Sequence, residues 1–198
     1  AAMVEATMTA AGIGSAAALG LSTGGYVALQ LAADHPGRVT ALALSSTSVG
    51  TGAPDEPEQR RRDAARLRAE GSIAAVADSD QDALGATARR ERPDLLAAVR
   101  AIIAETSPTG AAWVADAIAS REPREETLAG FDGPVLLLFG EEDTATPPDR
   151  ELPAMERARR GDDRTRVVRL PSTGHLTATE NPDAVGHALS WLRAPAGK

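Results

Sequence analysis

The sequence predicts an α/β protein with a mainly parallel sheet and helices on both faces. Three observations predict it. A short uncharged run ends in a Gly-x-Ser-x-Gly turn and passes into a helical pattern. A second apolar run follows that helix directly, completing a β-α-β unit. Two more strand-like runs come late in the chain, the first strongly apolar, each followed by a helical segment.

Taken in order, residues 3–11 read as a short helix stopped by Gly12 and Gly14. Residues 15–21 carry no charge and read as a strand buried on both faces, as in a parallel sheet. Residues 23–34 form a helix, with Val27, Leu31 and Asp34 on one face and Ala28, Leu29 and Ala32 on the next; His35-Pro36-Gly37 ends it. Residues 39–44 are the next strand. From about residue 53 to 129 the chain is rich in Ala, Arg and Glu, shows no strand-like run, and breaks at Gly71, Pro93, Pro108 and Pro123. Helices are expected near 56–69, 72–78, 80–90, 93–105 and 110–120. Residues 134–139 are a strongly apolar strand, 148–160 a helix, and 164–170 another strand. A closing helix spans 181–193, with Val185, Leu189 and Leu192 on its buried face.

Composition sets limits. The 198 residues suffice for one domain with a real core. A net charge of −7 argues against a nucleic-acid-binding surface. Arg60-Arg61-Arg62 is interleaved with acids and reads as a solvated helix face. No apolar run approaches a membrane span, and the first residues lack a basic stretch before an apolar one, so no membrane partner and a cytoplasmic location are expected. There is no Cys, and the three His form no paired metal-binding motif, so neither a metal nor another cofactor is expected.

Chemistry enters at Gly20-Leu21-Ser22-Thr23-Gly24. In such an elbow a tight strand-to-helix turn lifts the serine hydroxyl clear of the sheet, in a strained backbone conformation that favours glycine two residues either side. The pattern alone is weak, since chance supplies roughly 0.1 such matches in a chain this rich in glycine. A serine hydroxyl needs a base to take its proton. His35 sits at a helix end and His187 lies opposite the apolar stripe of the last helix, which leaves His175, in a loop just past the final strand. Asp143 follows the strand over 134–139 and would orient the imidazole; Glu142 and Asp149 are its rivals. The order Ser, Asp, His fits one serine-triad fold and not the others.

The chain resembles the α/β-hydrolases from Gly12 onward. The matching segments are Gly-Leu-Ser-Thr-Gly-Gly (20–25), His-Pro-Gly-Arg-Val (35–39), Gly-Glu-Glu-Asp (140–143) and Ser-Thr-Gly-His (172–175). Within that superfamily it is most similar to the 3-oxoadipate enol-lactonase branch, through residues 71–78, 106–110 and 143–148. The resemblance implies that residues 53–130 are a helical lid inserted in a single domain spanning 1–198. It also implies that the Thr23 N–H is one oxyanion donor. Three departures put the substrate in doubt: Leu84-Gly-Ala-Thr-Ala88 stands where the branch carries a Trp-Phe segment, Ala111 stands for Tyr, and Thr23 stands for Met. Trp113 is either a pocket-lining residue or a buried packing residue.

The family pattern also places four strands before the elbow strand, whereas about 21 residues precede Ser22 here. The expectation is therefore an N-terminally incomplete, partial α/β-hydrolase fold of four strands. It would lack the second oxyanion donor and expose an apolar edge open to homo-oligomers or edge-strand pairing. The function expected is a serine hydrolase cleaving a small carboxylic ester or lactone, impaired by that loss. The alternatives are a cofactor-free perhydrolase or haloperoxidase using the same three residues, and a non-catalytic remnant of the fold.

Overall fold

The computed structural model describes residues 1–74 and 83–193. In chain order its elements are α1 (Ala2–Ala10), β1 (Ala16–Leu21), α2 (Thr23–Asp34), β2 (Val39–Ser45), α3 (Glu56–Glu70), α4 (Ala86–Glu91), α5 (Pro93–Glu105), α6 (Pro108–Ala119), α7 (Glu125–Ala129), β3 (Val135–Gly140), α8 (Pro148–Ala158), β4 (Thr165–Leu170), α9 (Thr177–Glu180) and α10 (Pro182–Ser190). The four described strands form one parallel sheet in the order β1-β2-β3-β4.

Strand β3 is the centre of the core. Every residue from Val135 to Gly140 is buried, as a strand paired on both edges and covered on both faces requires. The pleat divides its side chains. Val135, Leu137 and Phe139 join Leu42 and Leu44 of β2 beneath Leu29 of α2 and Leu152 and Met155 of α8. Leu136 and Leu138 join Ala43 beneath Val185 and Ala188 of α10. Helices therefore lie on both faces, and the parallel direction of the four described strands brings each carboxyl end to the same rim.

Strand β1 departs from the expected burial. Ala16 and Ala18 pack on the core, but Ala17 is exposed and Leu19 is 51% exposed. The alternation marks an edge strand with one covered face, a pattern that its uncharged composition hides.

The helical middle has its own small cores, Ala64 and Leu67 of α3 with Ala112 and Ala115 of α6, and Ala88 with Val99. Proline in the first turn starts α3, α5, α6, α8 and α10, where its missing N–H costs nothing. Gly71 ends α3 in the left-handed conformation. Of the helix expected over 80–90, Ala83 and the stretch from Ala86 onward are helical with a break at residues 84–85; residues 75–82 lie outside the described residues, as does most of the helix expected over 72–78. Helices α7 and α9 are four or five residues long, too short for a helical period to show in the sequence. Among the described residues no helix is long and apolar enough to cross a membrane.

One buried cation ties the entry of β3 to its neighbours. Arg159, 5% exposed, donates to the carbonyls of Leu128 (3.2 Å), Phe131 and Gly133 (3.3 Å), to Thr165 Oγ1 (2.9 Å) and to Asp162 Oδ2 (2.6 Å). Arg159→Met keeps much of the volume but strands these acceptors. It is expected to lower the unfolding free energy by about 2–4 kcal/mol, measured as a lower urea midpoint; an unchanged midpoint would refute this account of the contact.

Candidate active site

The elbow is built as its sequence requires, with one shift. Ser22 joins β1 to α2 at φ 52 and ψ −122, a conformation side chains rarely adopt. Its backbone is held on three sides. Ser22 N–H donates to Ser45 O (2.9 Å), and its carbonyl accepts from Gly25 N–H (2.9 Å) and Thr47 Oγ1 (2.7 Å). A Cβ on Gly20 would overlap the Gly24 carbonyl, so the first glycine is sterically required. The second requirement falls on Gly25, whose Cβ would sit 2.5 Å from Thr47 Oγ1, and not on Gly24, where a Cβ would meet nothing.

Asp143 and His175 come from the loops after β3 and β4. These loops are zipped together by Glu141 N–H to Leu170 O (2.9 Å) and Glu142 N–H to Thr173 O (2.8 Å). His175 Nδ1 lies 3.0 Å from Asp143 Oδ2 and 3.1 Å from Oδ1. An ionised carboxylate only accepts, so Nδ1 carries the proton and Nε2 of the neutral ring has a free lone pair. Asp143 is 3% exposed and accepts further bonds from Ala145 N–H (3.0 Å), Thr146 N–H (2.9 Å) and Thr146 Oγ1 (2.7 Å). Burial alone would raise its pKa; the bonds from His175 and Thr146 outweigh it and hold the carboxyl below the usual carboxylate range.

Ser22, Thr23 and His175 line one cavity of about 190 Å³. As the first residue of α2, Thr23 has an N–H with no partner inside the helix. A wider cleft of about 520 Å³ adjoins it and shares His175, Arg60 and Arg150. The structure sorts the rivals. Glu142 turns away to Thr87, and Asp149 pairs with Arg169 at 2.7 Å. His35 forms the C-terminal cap residue of α2, and His187 is exposed on α10.

Two expectations fail here. Trp113 neither lines this cavity nor packs in the core; it is 69% exposed, one residue past Ala112, because α6 turns its alanine stripe inward. Arg61 and Arg62 are solvated as expected, but Arg60 faces the cavity. Sequence reasoning also missed Thr146, which bonds Asp143 and approaches His175 Nδ1 at 3.3 Å. Its signal was available in the spacing: a Thr three residues after the Asp can close a turn on the carboxylate. It missed Arg121 too, which stacks over Tyr26 at 4.8 Å and pairs with Glu56 at 3.3 Å; no local pattern joins residues so far apart. Among the described residues no group of His, Cys, Asp and Glu could hold a metal ion.

The family model for the alpha/beta hydrolase fold matches residues 1–182. The chain belongs to this family. Among solved structures, a thermophilic esterase from Thermogutta terrifontis with malate bound is 31% identical with a TM-score of 0.84, over 94% of this chain and 68% of its own. The enol-lactonase from Burkholderia xenovorans LB400 is 27% identical with a TM-score of 0.82, over 97% and 70%. A hydrolase from Pseudomonas aeruginosa PA01, at 24% identity and a TM-score of 0.83 over 97% and 69%, shares the fold. No curated protein matches the chain.

The depressed pKa of Asp143 has a stability consequence in this α/β-hydrolase. Because the folded value lies below the unfolded one, ionised Asp143 stabilises the fold above the usual carboxylate pKa of about 4. That contribution is lost as pH falls through the depressed value. Asp143→Asn is therefore expected to be less stable than wild type at pH 7, with the gap closing in strong acid. Melts across pH check it; a gap that is constant with pH would contradict it.

Proposed function

We propose that the chain is a serine hydrolase acting on a small carboxylic ester or lactone. The observation that carries this reading is that Ser22, strained on its elbow, and His175, bonded to buried Asp143, open on the same cavity. Similarity to an esterase at 31% identity and an enol-lactonase at 27% supports the substrate class.

In this reading Ser22 Oγ attacks the carbonyl carbon while His175 Nε2 takes its proton. The imidazolium that forms is stabilised by Asp143, which already holds Nδ1–H. The Thr23 N–H and the positive end of the α2 dipole receive the oxyanion. Collapse breaks the ester C–O bond, and the leaving oxygen takes the proton from His175. Water, deprotonated by the same ring, then attacks the acyl carbon; the bond to Ser22 Oγ breaks, Oγ takes the proton back from His175, and the carboxylic acid leaves. No step draws on a cofactor. Residues 53–130 act as the lid, since Glu56, Arg60, Ile118 and Arg121 wall the same cavity.

A fluorophosphonate probe is expected to label Ser22, and Ser22→Ala or His175→Ala to lower p-nitrophenyl acetate turnover about 10³-fold or more. Asp143→Asn is expected to cost on the order of 10³–10⁴ in kcat, because the imidazole is then held in the wrong tautomer. Turnover that survives Ser22→Ala would overturn the assignment.

A further inference from the structure

Two features of this region take no part in the chemistry above. Glu142 sits beside Asp143 yet points away from His175, and the segment Leu84–Ala88 lacks the aromatic residues that the resemblance leads one to expect. The structure joins them. Glu142 Oε2 accepts the Thr87 N–H (2.7 Å), and Oε1 accepts the Thr87 hydroxyl (2.6 Å). On the other side, Glu180 of α9 reaches the same segment. Its Oε2 accepts two N–H groups at once, Gly85 (3.0 Å) and Gly174 (2.9 Å). Gly174 immediately precedes His175.

The two main chains touch at this point. A Cβ on Gly85 would lie 2.8 Å from the Gly174 nitrogen, and one on Gly174 would overlap the Gly85 nitrogen. Gly85 has an ordinary extended backbone, so closeness alone excludes a side chain there. The Leu176 N–H adds a bond to the Ala83 carbonyl (3.2 Å). The residue before His175 and the residue after it are thus both held by the segment at 83–85. Among the described residues the other Glu180 oxygen, Oε1, is buried with no partner. An acceptor-only oxygen that takes two backbone N–H groups is what a short bridge between two chains calls for.

We propose that Glu180 is a positioning residue for His175, acting through the carboxylate oxygen that binds the Gly174 and Gly85 N–H groups together. Glu142 fastens the other end of the same segment to the Asp143 loop. The backbone at 85–87 is thereby a strut between the loops that carry the acid and the base. This rests on His175 being the base of the proposed hydrolase.

The test uses the whole chain and two readouts, p-nitrophenyl acetate kinetics and the low-field proton resonance of His175 Nδ1–H. Glu180→Ala is expected to lower kcat about 10- to 100-fold with KM within about threefold, and to broaden or shift the resonance. Glu180→Gln, which retains an acceptor oxygen, is expected to restore kcat to within about fivefold of wild type. If Glu180→Ala does not fold, Glu180→Asp keeps the charge but shortens the reach, and a kcat loss of about tenfold or more is expected. A folded Glu180→Ala, or failing that Glu180→Asp, with wild-type kcat and an unchanged resonance would overturn the proposal; so would an absence of recovery in Glu180→Gln. If wild type shows no turnover that depends on Ser22, the hydrolase reading fails by itself, and the resonance still decides whether Glu180 positions His175.

Discussion

Main chain packed directly on main chain at the carboxyl rim of the sheet is the constraint on which the candidate site depends. Gly20 lies against the Gly24 carbonyl, Gly140 against the Thr173 and Gly174 carbonyls, and Gly174 against Gly85. At each of these a methyl group would collide. The first contact sets the backbone of Ser22, the second brings the end of β3 onto the His175 loop, and the third seats the helical region on that loop. Three side chains from distant parts of the sequence are held together by backbone contacts, which have no rotamers to lose. Strain gathers at the same rim: Ser22, Ser46 and Ser172, each just past the end of a strand, are the described non-glycine residues with positive φ. Such strain persists only where the surroundings over-determine it.

Electrostatics act within that frame. Asp143 is buried, yet its carboxyl stays ionised because every direction of approach offers a donor: two backbone N–H groups, a threonine hydroxyl and the imidazole. A buried carboxylate without them would shift its pKa upward and lose its hold on Nδ1–H. The turn at residues 143–146 thus does two things, ending the loop after β3 and solvating the charge that the site needs.

Much of this was legible in the sequence. The β-α-β unit could be read because Ala16–Leu21 and Val39–Ser45 carry no charge, the central strand because Val135–Gly140 is apolar throughout, and the helices because proline and glycine punctuate them. Ser22, Asp143 and His175 could be nominated because each follows a strand, and strands of a parallel sheet end on one rim. What could not be read depends on neighbours far along the chain. Residues 15–21 look equally apolar whether covered on two faces or on one, so the exposure of Leu19 was hidden. Glu142 and Asp143 are both acids in one loop, and partners distant in sequence separate them, Thr87 against the first and His175 against the second. Trp113 was misread because a lone aromatic suggests burial, while the helix phase is set by Ala112, Ala115 and Ala119.

The cavity wall has two origins, and they are constrained differently. Ser22, Thr23, Thr146 and His175 belong to the rim loops, where glycine contacts leave little freedom. Glu56, Arg60, Ile118 and Arg121 belong to the helical region, joined by the Arg121–Glu56 pair and fixed to α2 by the stacking of Arg121 on Tyr26. Side chains on the helices can change without moving a rim glycine, so the lining of the cavity can vary while the geometry of the three rim residues stays fixed. In this chain the helical part of the wall is mainly charged, so an apolar group buried against it would desolvate arginine and glutamate without replacing their partners.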